Sequence, residues 1–216
     1  MLDLFIRALP LLEKAILITL GLGFGAFILG GMLGMLIALS RLSRWRALRW
    51  LAFAYVSVFR GTPLLIQILL IYFGLPTWDI VIEPIPAALL ALSLFAAAYL
   101  SENFRSGIMA VDRGQWEAAQ AMGMSYPVTL WRVVLPQALR IAIPDLGSRL
   151  IGLMKDTSLA STVTVVELTR VADQLGATTF RYMDMFLIVG ALYWLINQIL
   201  TILQSMLETR LAKRYQ

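Results

Sequence analysis

Long uncharged stretches, each ended by arginines, set the pattern of this chain. Residues 15–39 carry no charge, residues 51–78 carry only Arg60, and residues 84–101 and 185–207 are again uncharged. Each is long enough to be a membrane-crossing helix, which needs about 20 mostly apolar residues. Residues 141–166 are also apolar in the main but include Asp145, Arg149, Lys155 and Asp156. They predict a further span with one polar face, so the pattern predicts an all-α integral membrane bundle of five transmembrane helices. The polar stretches between them orient it. Arg41, Arg44, Arg46 and Arg49 follow the first span; Arg105, Arg113, Arg132 and Arg140 follow the third; Arg210, Lys213 and Arg214 follow the last. The segment after the second span has Asp79 and Glu83 without a cation, and the one after the fourth mixes Glu167, Arg170, Asp173 and Arg181. Arginine-rich connections stay in the cytoplasm, so the N-terminus is expected outside and the C-terminus inside. Asp3, Arg7, Glu13 and Lys14 precede the first span and no small-residue cleavage site follows it, so the N-terminus is expected to be retained.

Composition narrows the chemistry. Of 216 residues, 60% are hydrophobic and 14% charged, well short of the roughly 25% charged residues of a soluble domain. The net charge of +5 is spread through the loops, where topology explains it better than nucleic acid does. Cysteine and histidine are both absent, which removes disulfide frameworks, the usual zinc and haem sites, and histidine base catalysis. An embedded enzyme would be left with carboxylate or Ser–Lys chemistry, and Lys155 and Ser158 stand in the reverse of the Ser-x-x-Lys order. No metal site is expected. The three lysines, Lys14, Lys155 and Lys213, do not follow glycine, so the chain lacks the phosphate-binding loop of an ATPase.

The segment between the third and fourth spans, about residues 107–141, is the most informative. Asp112 and Gln115 form a capping pair ahead of a helix through Glu117, Ala118 and Ala119. Gly123 is a left-handed stop, Ser125 caps a second helix with Pro127 in its first turn, and Pro136 interrupts that helix. Two short helices meeting at a tight turn follow. From residues alone, an ordinary amphipathic surface helix is an equal reading.

Glu117-Ala118-Ala119, Gly123 four residues on, and Val133-Val134-Leu135-Pro136 resemble the EAA motif of ABC-importer permeases, with Val133 where that family has isoleucine. Arg60-Gly61-Thr62-Pro63-Leu64, Gly114-Gln115-Trp116-Glu117 and Lys155-Asp156-Thr157-Ser158-Leu159 are similar to stretches of the polar amino-acid (histidine/glutamine/cystine-type) permeases, and the likeness covers nearly the whole chain. Tyr72-Phe73-Gly74-Leu75-Pro76 and Glu83-Pro84-Ile85-Pro86 look closest to cystine permease subunits. The resemblance implies a single permease domain, residues 1–216, in a bacterial inner membrane. It implies alternating access between an external substrate-binding protein and the cytoplasm, and a coupling helix around Glu117–Gly123, with Leu135 and Pro136 behind it, docked in an ATPase subunit. ATP and magnesium are then held by that partner dimer and no cofactor by this chain. A second permease copy completes the path, two identical chains being favoured over two related ones. An ion-gradient-driven secondary transporter is the alternative; it would show internal repeats, and none stands out. A structural scaffold would need no docking motif.

Ionisable residues at membrane depth are functional candidates. Glu102, Asn103, Asp156 and Thr157 are candidates to line the path, a carboxylate pair there meeting an amino-acid ammonium. The competing reading pairs Glu102 with Arg105 or Arg60, and Asp156 with Lys155 or Arg149. Arg60 is a candidate for a substrate carboxylate, but snorkelling to the cytoplasmic surface is favoured. Gly21, Gly25, Gly30 and Gly34 predict close helix contact along the first span.

Overall fold

The computed structural model describes residues 2–212; Lys213 and Arg214, counted above with the positive C-terminal segment, lie outside them. The described residues are helical without a strand. The helices are α1 (Leu2–Arg41), α2 (Arg46–Gly61), α3 (Leu64–Leu69), α4 (Pro84–Met109), α5 (Arg113–Ala121), α6 (Tyr126–Thr129), α7 (Leu135–Asp156), α8 (Leu168–Thr179) and α9 (Tyr182–Ala212). α1, α4 and α9 are each long and apolar enough to cross a membrane, and α2 with the limb Leu64–Trp78 makes a fourth if that bent pair is one span. α7 carries the polar face expected of the remaining span.

The first expectation holds with an extension. α1 is one helix of 40 residues, about 60 Å long at 1.5 Å per residue, twice the hydrocarbon thickness. Its early turns are not a loop: Leu4, Ala8, Leu12 and Ala15 pack against Leu168, Val171 and Ala172 of α8 and Met185, Ile188 and Val189 of α9. α8 itself falls where the sequence shows only a mixed-charge connection. Glu167 caps it, accepting from the backbone of Thr169 (2.9 Å) and Arg170 (2.8 Å) and from the Tyr193 hydroxyl (2.6 Å).

The second span is not one helix. It turns by 105° between Arg46–Gly61 and Leu64–Trp78. Thr62 and Pro63 are extended at the corner, as the residue before a proline prefers. The buried Gln67 amide holds the corner closed, donating to the carbonyls of Phe59 (3.0 Å) and Thr62 (3.1 Å) and to the Thr62 hydroxyl (2.9 Å). Beyond α3 the chain loosens into a π turn, Leu70–Gly74, and a 3-10 turn, Leu75–Trp78.

The fourth span changes character halfway. After Asp156 the chain tightens to a 3-10 helix, Thr157–Val163. The hydroxyls of Thr157, Ser158, Ser161 and Thr162 each donate to the carbonyl three residues back, at 2.7 Å. Such local bonds compete with the α-helical ladder. Nor does Pro136 interrupt the helix before α7, as its missing donor predicted. A π stretch, Leu130–Val134, joins α6 to α7, and the Leu135 N–H reaches back to Leu130. The wider turn absorbs the proline.

The α1–α4 pair is the most extensive contact in the bundle. A Cβ on Gly30 would lie 2.7 Å from that of Ala96, and one on Gly34 would lie 2.9 Å from the Ala97 carbonyl oxygen. Gly25 is as close to Leu89, whereas Gly21 meets nothing within 4 Å and takes no part. The Gly34 neighbour is backbone and has nowhere to go, so Gly34→Val should cost roughly 1–3 kcal/mol by overpacking and lower the thermal unfolding midpoint of the purified protein. Gly21→Ala should leave the midpoint in place; equal shifts for the two variants would refute the close crossing.

Candidate functional site

Two groups of residues emerge, one at membrane depth and one beyond the ends of α1 and α4. In the first, Glu102 on α4 is the hub. Its carboxylate pairs with Arg41 at the end of α1, with Arg105 one turn along α4 (2.8 Å) and with Arg60 at the end of α2 (3.7 Å). Three guanidiniums around one carboxylate leave local positive charge and no free oxygen for a substrate ammonium. Both sequence-derived partners of Glu102 are therefore present, and Arg41 is an addition the spacing did not suggest. Asn103 is half-buried beside it.

Arg60 does not simply reach for the surface. Its guanidinium lies 5.0 Å from the Tyr99 ring centroid. Arg149 also lies against these rings, 4.5 Å from Tyr99 and 4.9 Å from Phe95. Arg149 binds Asp156 at 3.1 Å, and its Nε is buried without an acceptor. Arg149 and Asp156 are two helical turns apart on α7, hence on one face. Lys155 is exposed and makes no ion pair with Asp156 within 4 Å. The structure thus brings Glu102, Arg60 and Asp156 into one chain of contacts through Tyr99 and Arg149. Thr157 is next to Asp156 but fully buried, its hydroxyl spent on the Met154 carbonyl. Sequence reasoning missed Tyr99 and Phe95; the signal was there, since Phe95, Tyr99 and Glu102 follow one another at helical spacing.

The second group is the helix-turn-helix at residues 112–129. Asp112 caps α5 by accepting from Gly114 (2.7 Å), while the Gln115 side chain, expected to complete the pair, instead accepts from Gln137 (3.1 Å). Gly123 has φ of +75°, the left-handed stop expected there. Trp116 stacks on Tyr126 with centroids 5.7 Å apart, clamping the two short helices together. Glu117 and Ala118 face outward, and Glu117 is held by Arg113 at 3.1 Å. Ala119 is buried, so of the alanine pair Ala118 alone is free to meet another surface. Leu135, with Val111, Leu130 and Val134, seats the unit on Ile108 and Ala138 and against Met35 and Leu39 of α1 and Leu42 just beyond it. Pro136 is exposed beside it. Gly107 lets α4 touch α7 there: a Cβ would come 2.6 Å from the Ala138 carbonyl oxygen. Among the described residues no group of three or more carboxylates suits a metal ion.

The chain is similar to known proteins over nearly its whole length. The L-cystine transport system permease protein TcyB of Bacillus subtilis is 43% identical over 208 residues, covering 94% of this chain and 88% of that protein. The arginine transport system permease protein ArtQ of the same organism is 38% identical, over 95% and 94% of the two chains. A solved amino acid ABC transporter, crystallised with histidines, superposes with a TM-score of 0.90 at 36% identity, over 95% and 96% of the chains. Residues 30–213 match the family described as binding-protein-dependent transport system inner membrane component. The chain belongs to that family.

Proposed function

We propose that this chain is the membrane-spanning subunit of an ATP-driven importer for polar amino acids, of the kind that carries cystine. The observation that carries the reading is the rigid helix-turn-helix at 112–129, capped, clamped by Trp116 and Tyr126, and seated on the ends of α1 and α4. It is a stiff lever with Glu117 and Ala118 outward, suited to receive the push of a separate ATPase dimer that binds ATP and magnesium. The relatives' names support amino acids as cargo. A second copy of this chain and an external binding protein complete the machine. The bacterial inner membrane suits it, with the N-terminus outside and residues 107–141 and the C-terminus in the cytoplasm.

In this reading the path runs along Arg60, Tyr99, Arg149 and Asp156. A zwitterionic substrate has a carboxylate for an arginine and an ammonium for Asp156, which it would share with Arg149. Glu102 and Asn103 mark the inner end, with Glu102 holding Arg60 in place, and Thr157 supports the turn that presents Asp156.

Reconstituted in proteoliposomes with its ATPase and binding protein, the chain should import labelled amino acids only with ATP. Glu117→Arg reverses the charge of the outward face and should cut uptake at least about tenfold while the unfolding midpoint stays unchanged. Uptake driven by an ion gradient without ATP, indifferent to that substitution, would establish the secondary-transporter alternative instead. Asp156→Asn removes one charged hydrogen-bond partner, worth about 1.5–3 kcal/mol. The apparent affinity for substrate should weaken by about tenfold or more, with ATP hydrolysis by the assembled complex retained. An unaltered substrate dependence would remove Asp156 from the path.

A further inference from the structure

We propose that α2 is an interfacial helix, lying in the plane of the membrane against anionic phospholipid headgroups on the side that carries α5. Its contacts fix its direction. Midway along α2, Ala52 and Val56 pack with Leu33, Ile37 and Ala97, and the Tyr55 hydroxyl donates to the Leu94 carbonyl (2.7 Å). One turn later Arg60 meets Glu102, to which Arg41 at the end of α1 also binds, and lies over Tyr99. Along both α1 and α4 those partners lie nearer the α5 end than the partners of the middle of α2. The C-terminal half of α2 therefore gains no depth toward the opposite membrane face. The chain then turns by 105° into α3, whose Leu64 and Ile68 pack in the core with Ala88, Ala91 and Leu92 of α4. With α3 running along α4, the helix before that corner lies across the bundle.

The distribution of side chains around α2 fits such a position. At 3.6 residues per turn, Ala52, Tyr55, Val56 and Phe59 form the arc against the bundle. Arg46, Arg49, Ser57 and Arg60 form a second arc, mainly polar, which also carries the exposed Phe53 and ends at Arg60 turned onto Glu102 and Tyr99. Ala47, Leu51, Ala54 and Val58 form a third, on the far side from the arginines, and all four are exposed. A helix crossing the membrane would need no such division of its exposed surface; one lying at the interface shows cations to the headgroups and apolar residues to the acyl chains. Trp45 and Trp50 are 77% and 70% exposed, at the edge of the polar arc where indole rings favour the headgroup level. Arg44, Arg46 and Arg49 meet no carboxylate among the described residues, and Arg49 touches only the Ser43 carbonyl, at 3.4 Å. Three cations without counter-charges at the membrane surface are matched by anionic lipid.

The chain has no cysteine, so single cysteines can report depth without further engineering. Leu51→Cys and Val58→Cys, seven residues and about 10 Å apart along the helix, would each carry a nitroxide in the full transporter complex. The complex would be placed in nanodiscs containing relaxation or doxyl probes at graded depth. An in-plane α2 gives both labels the same shallow depth, with Ser57→Cys in water. A depth difference near 10 Å would show a crossing helix and overturn the proposal. So would labels shielded from lipid that cross-link between two copies of the chain, since the face would then be a subunit interface. In the same discs, spin-labelled phosphatidylglycerol should be held on the complex in preference to phosphatidylcholine. The double variant Arg46→Gln, Arg49→Gln should lose most of that preference, each arginine near an anionic surface being worth a factor of about five. A preference unchanged by the double variant would overturn the assignment to anionic headgroups.

Discussion

The part-buried Glu102 carboxylate is the contact at which α1, α2 and α4 meet, toward the α5 end. Glu102 binds three guanidiniums, drawn from the end of α1, the end of α2 and its own helix. The consequence is structural as much as electrostatic. Arg41 fixes where α1 stops relative to α4, and Arg60 fixes where α2 must end. That endpoint determines the corner at Gly61–Pro63. The same arginine places a cation over Tyr99, and Tyr99 shares its surroundings with Arg149. A single carboxylate thus sets the register from which the charged path is built.

The backbone obeys the same economy. Breaking a helix within a bilayer frees N–H and C=O groups that must find partners inside the protein. At the corner of the second span the Gln67 amide supplies them. After Asp156, the 3-10 turn does so, with threonine and serine hydroxyls turned back on the carbonyls. Both breaks are next to candidate path residues, Arg60 in one case and Asp156 in the other. An interruption is tolerated only where it is buried in protein or lines a watery cavity, and both breaks are held by buried side chains, Gln67 and Thr157. The two motifs that drew attention in the sequence, Arg-Gly-Thr-Pro-Leu and Lys-Asp-Thr-Ser-Leu, are the chemical means of making those breaks.

This explains what could and could not be read beforehand. Hydropathy located the apolar segments because burial in lipid depends on composition alone. It could not see that residues 51–78 bend, since the bend depends on Gln67 finding carbonyls five and eight residues away. It missed α8, whose amphipathic pattern is short and whose cap, Glu167, looks in sequence like any loop carboxylate; only the Tyr193 hydroxyl marks it as buried. The helix-turn-helix was legible in outline, because Asp112 and Gly123 act locally, though Ser125 at the start of α6 makes no side-chain capping bond. Its error was at Pro136, where a π turn, a tertiary accommodation, repaired what local rules said was broken. The pairing of Arg149 with Asp156 was readable from spacing; the aromatic rings between Arg149 and Arg60 belong to another helix and were not.

Coupling follows from how these parts connect. The outward helix α5 is clamped to α6 and rests on the ends of α1 and α4 through Ile108, Val111, Leu130 and Leu135. Packed interiors transmit displacement because they have few voids to absorb it. A push on α5 therefore reaches the ends of α1 and α4 first, and those ends carry Arg41, Arg105 and Glu102. From there the arginine cluster leads to Arg60 and to the corner of the second span. If α2 lies flat at the lipid surface as proposed, that corner would have a fixed side and a moving side, α2 staying with the headgroups while α4 and α3 shift against it. In the proposed mechanism the lever and the path are joined by these contacts: Glu102 holds Arg60 against Tyr99, and Tyr99 lies under Arg149, the partner of Asp156.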